Sequence, residues 1–349
     1  MPRIAKLTAL LVLVATPLAA ALGVLSTGRG EAFSTDAARS TSGRPIVLAF
    51  AGDVHFEGVL EAKLASNAAG LLEPIEPVLD NADLAVVNLE TAITTGGSAT
   101  TKQFTFSAPP AAFAALRGGG VDVASMANNH GMDFGESGLR DSLAAARRYR
   151  FPVIGIGLDG KQAYRPFRRT IRGQRIAVLG ATQVLDDDLI SSWTAGPGKP
   201  GLASAKNVPR LVREVRAARR TADTVVVYLH WGVELEQCPT KKQRALARRL
   251  VGAGADIVVG GHAHRLVGAG RMGSALVGYG LGNFVWYATS GLSTQTGVLF
   301  VTVTGRTVDG YRWVPARIRG GVPRALAGSE RRRALSSWRS LRRCTGLNP

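Results

Sequence analysis

The chain has 349 residues, 46% of them apolar and 19% charged, a balance that excludes a disordered protein and allows one large core or two modest ones. A formal net charge of +18 implies an anionic neighbour such as a membrane surface, a cell-wall polymer or a polyanionic product. Nucleic acid is not expected, because no aromatic residues interleave with the basic runs as a base-stacking groove requires.

Arg3 and Lys6 precede Leu7–Gly28, an uncharged stretch of about the length that spans a bilayer. Residues 1–28 read as a signal peptide, with small residues for cleavage near Ala19–Ala21, or as a retained membrane anchor. Either way the body is expected to be exported, anchored in the cell membrane facing outside or secreted. Residues 29–44, rich in Ser, Thr, Gly and Ala, read as a linker. A folded domain is expected over 45–318, followed by a basic, peripheral tail over 319–349.

The first strand, Ile46–Gly52, ends in Asp53-Val54-His55, whose acidic and imidazole side chains share a face and suit one transition-metal ion. Residues 58–69 and 71–81 read as helical. The strand 82–89 runs into Glu90, a carboxylate whose burial is costly unless it is paired or bound to metal, and which could bridge two ions there. Residues 91–110 form a polar loop suited to lining a cleft. After a short helix at 111–117, the strand 121–127 ends in Asn128-Asn129-His130. There Asn129 offers a neutral oxygen ligand and His130 an acid or anion-stabilising imidazole, with Asp133 placed to orient it.

A helix at 138–149, strands at 151–157 and 175–182, and a basic connection at 161–172 carry no metal-ligand type at a strand end. A basic amphipathic helix over 207–221 precedes the strand Thr224–His230, which brings a further imidazole. Beyond it lie Trp231, read as pocket wall or core, and Glu234, facing either the ligands or a substrate. A helix at 240–254 leads to the apolar run Ala255–His264, in which His262 and His264 fall on one side by a period of two, after two glycines that leave room for close approach to an ion. A strand over 274–279, a close-approach loop containing Asn283, and a hairpin of 296–303 with 311–318 complete the body. All five histidines close apolar, strand-like runs. The two cysteines, Cys238 and Cys344, would pair in an oxidising compartment or remain thiols.

Strands alternating with helices indicate an α/β fold with its site at strand carboxyl ends. GDVH at 52–55, NLE at 88–90, SMANNHGMDFG at 125–135, HWGVE at 230–234, GGHAH at 260–264 and GLGNF at 280–284 resemble the CapA family of capsule or poly-γ-glutamate synthesis proteins, within the calcineurin-like metallophosphatase superfamily. The resemblance implies a four-layer αββα sandwich holding two divalent ions, Mn, Fe or Zn. It implies Asp53, His55 and His264 as ligands of one ion, Asn129, His230 and His262 as ligands of the other, Glu90 as the bridging carboxylate, and His130, supported by Asp133, as the catalytic imidazole. Glu90 departs from the aspartate usual in the superfamily. Glu234, Asn283 and Trp231 are the candidate substrate contacts. Two functions follow as expectations: a metal-dependent hydrolase or transferase acting on an anionic cell-surface polymer or phosphoester, or a non-catalytic, membrane-tethered subunit that binds or exports polymer with other subunits of a capsule synthesis complex.

Overall fold

Successive residues of a strand point to opposite faces, and in this chain both sets are apolar, so each sheet must be covered on both sides. The computed structural model describes residues 43–349; the N-terminal apolar run and all but the end of the expected linker lie outside the described residues. The first half comprises β1 (Ile46–Val54), α1 (Val59–Ser66), β2 (Leu84–Leu89), α2 (Ala112–Gly118), β3 (Val123–Ser125), α3 (Gly135–Arg148), β4 (Val153–Ile154), β5 (Phe167–Ile171) and β6 (Gln174–Thr182). There follow α4 (Val208–Arg219), β7 (Thr224–His230), α5 (Lys241–Gly252), β8 (Ile257–Gly261), β9 (Leu266–Met272), β10 (Ala275–Leu281) and β11 (Asn283–Val285). Last come β12 (Gln295–Thr304), β13 (Thr307–Arg319), β14 (Val322–Ala325) and α6 (Gly328–Ser340).

One sheet has the order β14-β13-β12-β1-β2-β3-β4, with β11 also paired to β1; the other has the order β9-β10-β8-β7-β6-β5. Strands β1 to β4 are parallel, as are β6, β7, β8 and β10. The period of two divides the strands among three cores. Ile46, Leu48 and Phe50 of β1 meet Val226 and Tyr228 of β7 between the sheets. Ala49 and Ala51 face the other way, toward the layer of α1, α2 and α3, whereas Val225, Val227 and Leu229 face α4 and α5. The result is the expected four-layer αββα sandwich. Helix α5 starts at Thr240, whose hydroxyl accepts from the Gln243 N–H at 3.1 Å while Gln243 Oε1 accepts from the Thr240 N–H at 2.9 Å.

Three local expectations change. Residues 71–81 are mostly turns around a single short helix, Glu76–Leu79. The basic connection contains β5, an edge strand whose Arg168 and Arg169 point to solvent; charge on an edge discourages further pairing and also disguises a strand as a loop. The tail is not peripheral: β14 extends the first sheet, and α6 places Trp338 on Trp313 with ring centroids 5.2 Å apart. Cys344 is disulfide-bonded to Cys238, a link across 106 residues of sequence. Trp338→Ala should therefore lower the unfolding free energy by about 3 kcal/mol. Chemical denaturation measures this, and an unchanged midpoint would show that the tail is dispensable to the fold.

Candidate metal centre

Parallel strands of both sheets end at one edge, and their terminal polar side chains meet in the seam between the sheets. Asp53, near the end of β1, is fully buried. Its Oδ1 accepts from Asn88 Nδ2 at 2.9 Å and its Oδ2 from the His262 backbone N–H at 3.0 Å. Gly261 permits this approach, since a Cβ there would lie 2.0 Å from Asp53 Oδ1. The room that the sequence suggests for an ion is taken by a carboxylate.

Glu90 lies just past β2, where its N–H donates to Val54 O at 2.7 Å. Asn88 Nδ2 reaches Glu90 Oε2 at 3.1 Å, whereas the buried Oε1 has no hydrogen-bond partner among the described residues. His230, at the end of β7, faces Asn88 Nδ2 through Nδ1 at 3.1 Å; its Nε2 lies 2.7 Å from Asn129 Oδ1 and 3.4 Å from Glu90 Oε1. His262 and His264 are not paired by strand alternation. β8 stops at Gly261, and a turn with φ of 95° at His262 and 50° at His264 directs both rings inward, conformations that non-glycine residues adopt at a cost.

Among the described residues two groups have ligand atoms within 4.8 Å of one another: Glu90 with His262 and His264, and Asp53 with Glu90 and His230. Glu90 belongs to both, the place the resemblance gives to a bridging carboxylate. Within these groups Asp53 stands beside His230, and His264 beside His262, while the implied neighbours Asp53 and His264 also meet, Oδ2 to Nδ1 at 3.4 Å. His55 is in neither group. Its ring is enclosed by Trp286 at 4.0 Å, Tyr287 at 4.6 Å and Phe106 at 4.9 Å, and both ring nitrogens receive long backbone N–H contacts, from Glu57 and Tyr287, at 3.4 Å.

Burial governs the protonation of this cluster. It pushes His55 and His230 down to about 3 and His262 well below its ordinary range. Glu90 moves well up, first through burial and then through the negative charge of Asp53. Burial opposes charge on His264 too, but Glu90 and Asp53 outweigh it and raise the ring to about 9. Burial likewise opposes ionisation of Asp53, yet its bond to His264 holds the carboxyl below its usual value. Besides Glu90 Oε1, His262 Nδ1 is buried without a hydrogen-bond partner among the described residues. Unpartnered carboxylate oxygen and imidazole nitrogen in one buried cluster are the donors that divalent transition ions take, and the residues fit such ions.

His130 stands beside this cluster. Its Nδ1 lies 2.5 Å from Asp133 Oδ2, as the sequence suggests, and its ring stacks on Phe106 at 4.1 Å. Asp133 also ties the 91–110 loop to the site: Oδ2 accepts from the Phe106 N–H at 2.7 Å, Oδ1 pairs with Lys102 Nζ at 2.6 Å, and its carbonyl accepts from the Thr100 N–H at 2.7 Å. Lys102 also donates to the Asn129 carbonyl.

The three candidate substrate contacts have different surroundings. Asn283 is buried; its Oδ1 meets His264 Nδ1 at 2.8 Å and its Nδ2 donates to Ser293 O at 3.0 Å, so both ends of its amide are engaged within the fold. Trp231 is a core residue: it is fully buried, and its indole N–H donates to Tyr279 O at 2.8 Å. Glu234 is exposed on the loop after β7. Sequence reasoning missed Asn88, whose single amide contacts both carboxylates and His230, and Lys102. The position of Asn88 two residues before Glu90, on the same strand face, was the available signal; Lys102 gave none, since it comes from an irregular loop.

The family model of the bacterial capsule synthesis protein PGA_cap matches residues 47–288. The PGA biosynthesis protein CapA of Bacillus subtilis (strain 168) is 29% identical over 283 residues, covering 79% of this chain and 72% of that one. The capsule biosynthesis protein CapA of Bacillus anthracis is 33% identical over 189 residues, 53% of this chain and 45% of that one, so the match spans less than half of that relative's length. Two solved structures share the fold at a TM-score of 0.50. A hypothetical protein from Thermus thermophilus is 18% identical over 78% of this chain and 100% of its own. A Staphylococcus aureus protein assigned as a 5′-nucleotidase is 16% identical over 85% of this chain and 58% of its own. With a four-layer αββα sandwich and six motifs gathered along one edge of it, the chain belongs to the bacterial capsule synthesis protein family PGA_cap.

Proposed function

We propose that the protein is a metal-dependent hydrolase or transferase acting on a phosphoester or on an anionic cell-surface polymer in capsule or poly-γ-glutamate metabolism. The observation that carries this reading is Glu90, a buried carboxylate shared by two groups of potential ligands and left with one oxygen unpartnered. Asp53, Glu90 and His230 would hold one divalent ion, with Asn129 adjoining His230; Glu90, His262 and His264 would hold a second. Such ions supply Lewis acidity and lower the pKa of water. His55, caged by aromatic rings, supports the wall of the site instead of completing either group.

The chain's own contribution centres on His130. Burial lowers its pKa despite the nearby Asp133, so the ring is neutral at ordinary pH, with its proton held at Nδ1 in the bond to Asp133. Nε2 is then the nitrogen left to take up and return a proton. Lys102 and the Phe106 N–H keep Asp133 from turning away, and Phe106 covers one face of the ring against water. Export is part of the proposal, with the N-terminal segment as leader or anchor and other capsule synthesis subunits as partners; the Cys238–Cys344 disulfide supports an oxidising compartment. Among the described residues no helix is long and apolar enough to cross a membrane.

His130→Ala should lower kcat on bis(p-nitrophenyl) phosphate by about 10²- to 10⁴-fold while metal content, measured by elemental analysis, stays at the wild-type level. Unchanged turnover would remove His130 from the chemistry, and metal-loaded wild type without any turnover would favour the polymer-binding subunit.

Metal uptake should also release protons. Burial raises the Glu90 carboxyl, and the charges of Glu90 and Asp53 raise His264 to about 9, so this coupled pair carries a proton that it must give up for both to become ligands. Affinity for Mn or Zn is therefore expected to rise with pH between about 6 and 8. Calorimetry in buffers of different ionisation enthalpy counts the protons, and a count of zero would exclude Glu90 and His264 as ligands.

A further inference from the structure

The two outer helical layers differ in charge. In the layer on the first sheet, α3 sets Glu136 and Asp141 against Arg140, Arg147 and Arg148, and Glu136 pairs with Arg140 at 2.6 Å. On the second sheet, α4 and α5 pack side by side. Residues 208–220 and 241–252 carry ten cations and a single carboxylate, Glu214. Three of the ten have local partners: Arg219 binds Asp256 at 2.5 Å, Arg210 donates to Gly160 O at 2.6 Å, and Arg244 donates to Pro239 O at 2.8 Å. The other seven are exposed and have no ion-pair partner among the described residues; five are arginines, at 213, 216, 220, 248 and 249, and two are Lys241 and Lys242.

Several of these charges oppose one another. Arg213, Arg216 and Arg220 follow at spacings that bring like charges together on a helix surface, and Lys241 and Lys242 sit at the helix end where a positive charge opposes the dipole. An anionic partner relieves both effects. A bilayer is a poor match, because neither helix exposes a large hydrophobic side chain to insert; those exposed nearest, Val233 and Leu235, lie in the loop leading into α5 and not along the helices. Neither helix has an aromatic residue on which a nucleobase could stack. Arginine forks match carboxylates in planar, two-bond pairs. One end of this face adjoins the site: residues 231–240 join His230 to α5, and a groove of about 690 Å³ lined by Lys206, Val233, Lys241 and Lys242 lies there.

We infer that α4 and α5 form the track on which a soluble, extended polycarboxylate chain lies, running toward the edge that holds the buried ligand cluster. This rests on the reading of the site as one that acts in polymer metabolism, but its measurement is separate. Full-length protein is titrated with fluorescent poly-γ-glutamate and with phosphatidylglycerol vesicles, alongside a variant carrying Arg213→Glu, Arg216→Glu, Arg248→Glu and Arg249→Glu. Wild type is expected to bind the polymer with an affinity that falls steeply with added salt, and the variant to bind it about tenfold or more weakly. The variant should keep the wild-type metal content and phosphodiester turnover. The same four positions changed to Gln serve if the charge-reversed protein does not fold. Equal polymer binding by the variants, no polymer binding by wild type at low salt, or vesicle binding that the substitutions abolish would each overturn the track. A metal-loaded wild type that binds polymer through this face but hydrolyses no phosphodiester would overturn the proposed hydrolase and leave the track standing.

Discussion

Two carboxylates, Asp53 and Glu90, are buried completely in the seam between the sheets, and the rest of the site is arranged to make that burial tolerable. An isolated buried charge costs far more than a domain's stability can absorb. Asn88 offers one amide nitrogen to both carboxylates and to His230, and His264 supplies positive charge to Asp53. These partners do not satisfy Glu90 Oε1, and burial, followed by the charge of Asp53, favours the protonated form of Glu90. A cation in the cluster would favour ionised Glu90 and neutral His264, reversing those two preferences while reinforcing ionised Asp53 and neutral His230.

The sandwich determines where such a cluster can form. Parallel strands end together, so residues far apart in sequence arrive at one edge, and two facing sheets close that edge from both sides. Small residues then decide whether the approach succeeds. Gly261 lets Asp53 come up to β8, and Gly52 lets β1 cross the Leu281–Gly282 backbone, where a Cβ would lie 1.8 Å from Gly282 O. The positive φ values of His262 and His264 are strain held at the same point. A packed core on either side of each sheet is what keeps such a turn in place.

Asp133 does for the loop what Asn88 does for the buried cluster. Through one carboxylate and one carbonyl it holds His130, Lys102, Phe106 and Thr100, so the irregular 91–110 segment and the imidazole beside the cluster are one bonded unit. The outer layers are less constrained by the core and so are free to vary in charge. The layer over the second sheet carries an excess of arginine that nothing in the fold requires, and its charge gives the edge that holds the site an electropositive flank.

The residue pattern of the sequence determined an α/β fold with its site at strand carboxyl ends; the four layers came from the family that its six motifs resemble. Strands apolar on both faces can only be covered on both sides, and five histidines closing apolar runs can only meet at strand ends. The identities of Asp53, Glu90, Asn129, His130, Asp133, His230, His262 and His264 as one neighbourhood were legible for that reason. Tertiary structure alone decided how they group. Which imidazole shares a carboxylate depends on the spacing between sheets and on a left-handed turn at His262, neither of which a period of two encodes. The same holds for His55, turned into an aromatic cage by residues from two distant segments, for Trp231, which went to the core, and for Asn283, which faces His264. The C-terminal residues read as a tail because their composition is basic and polar. Trp338 and Cys344 make them part of the fold, through contacts with Trp313 and Cys238 that only the assembled sheets bring within reach.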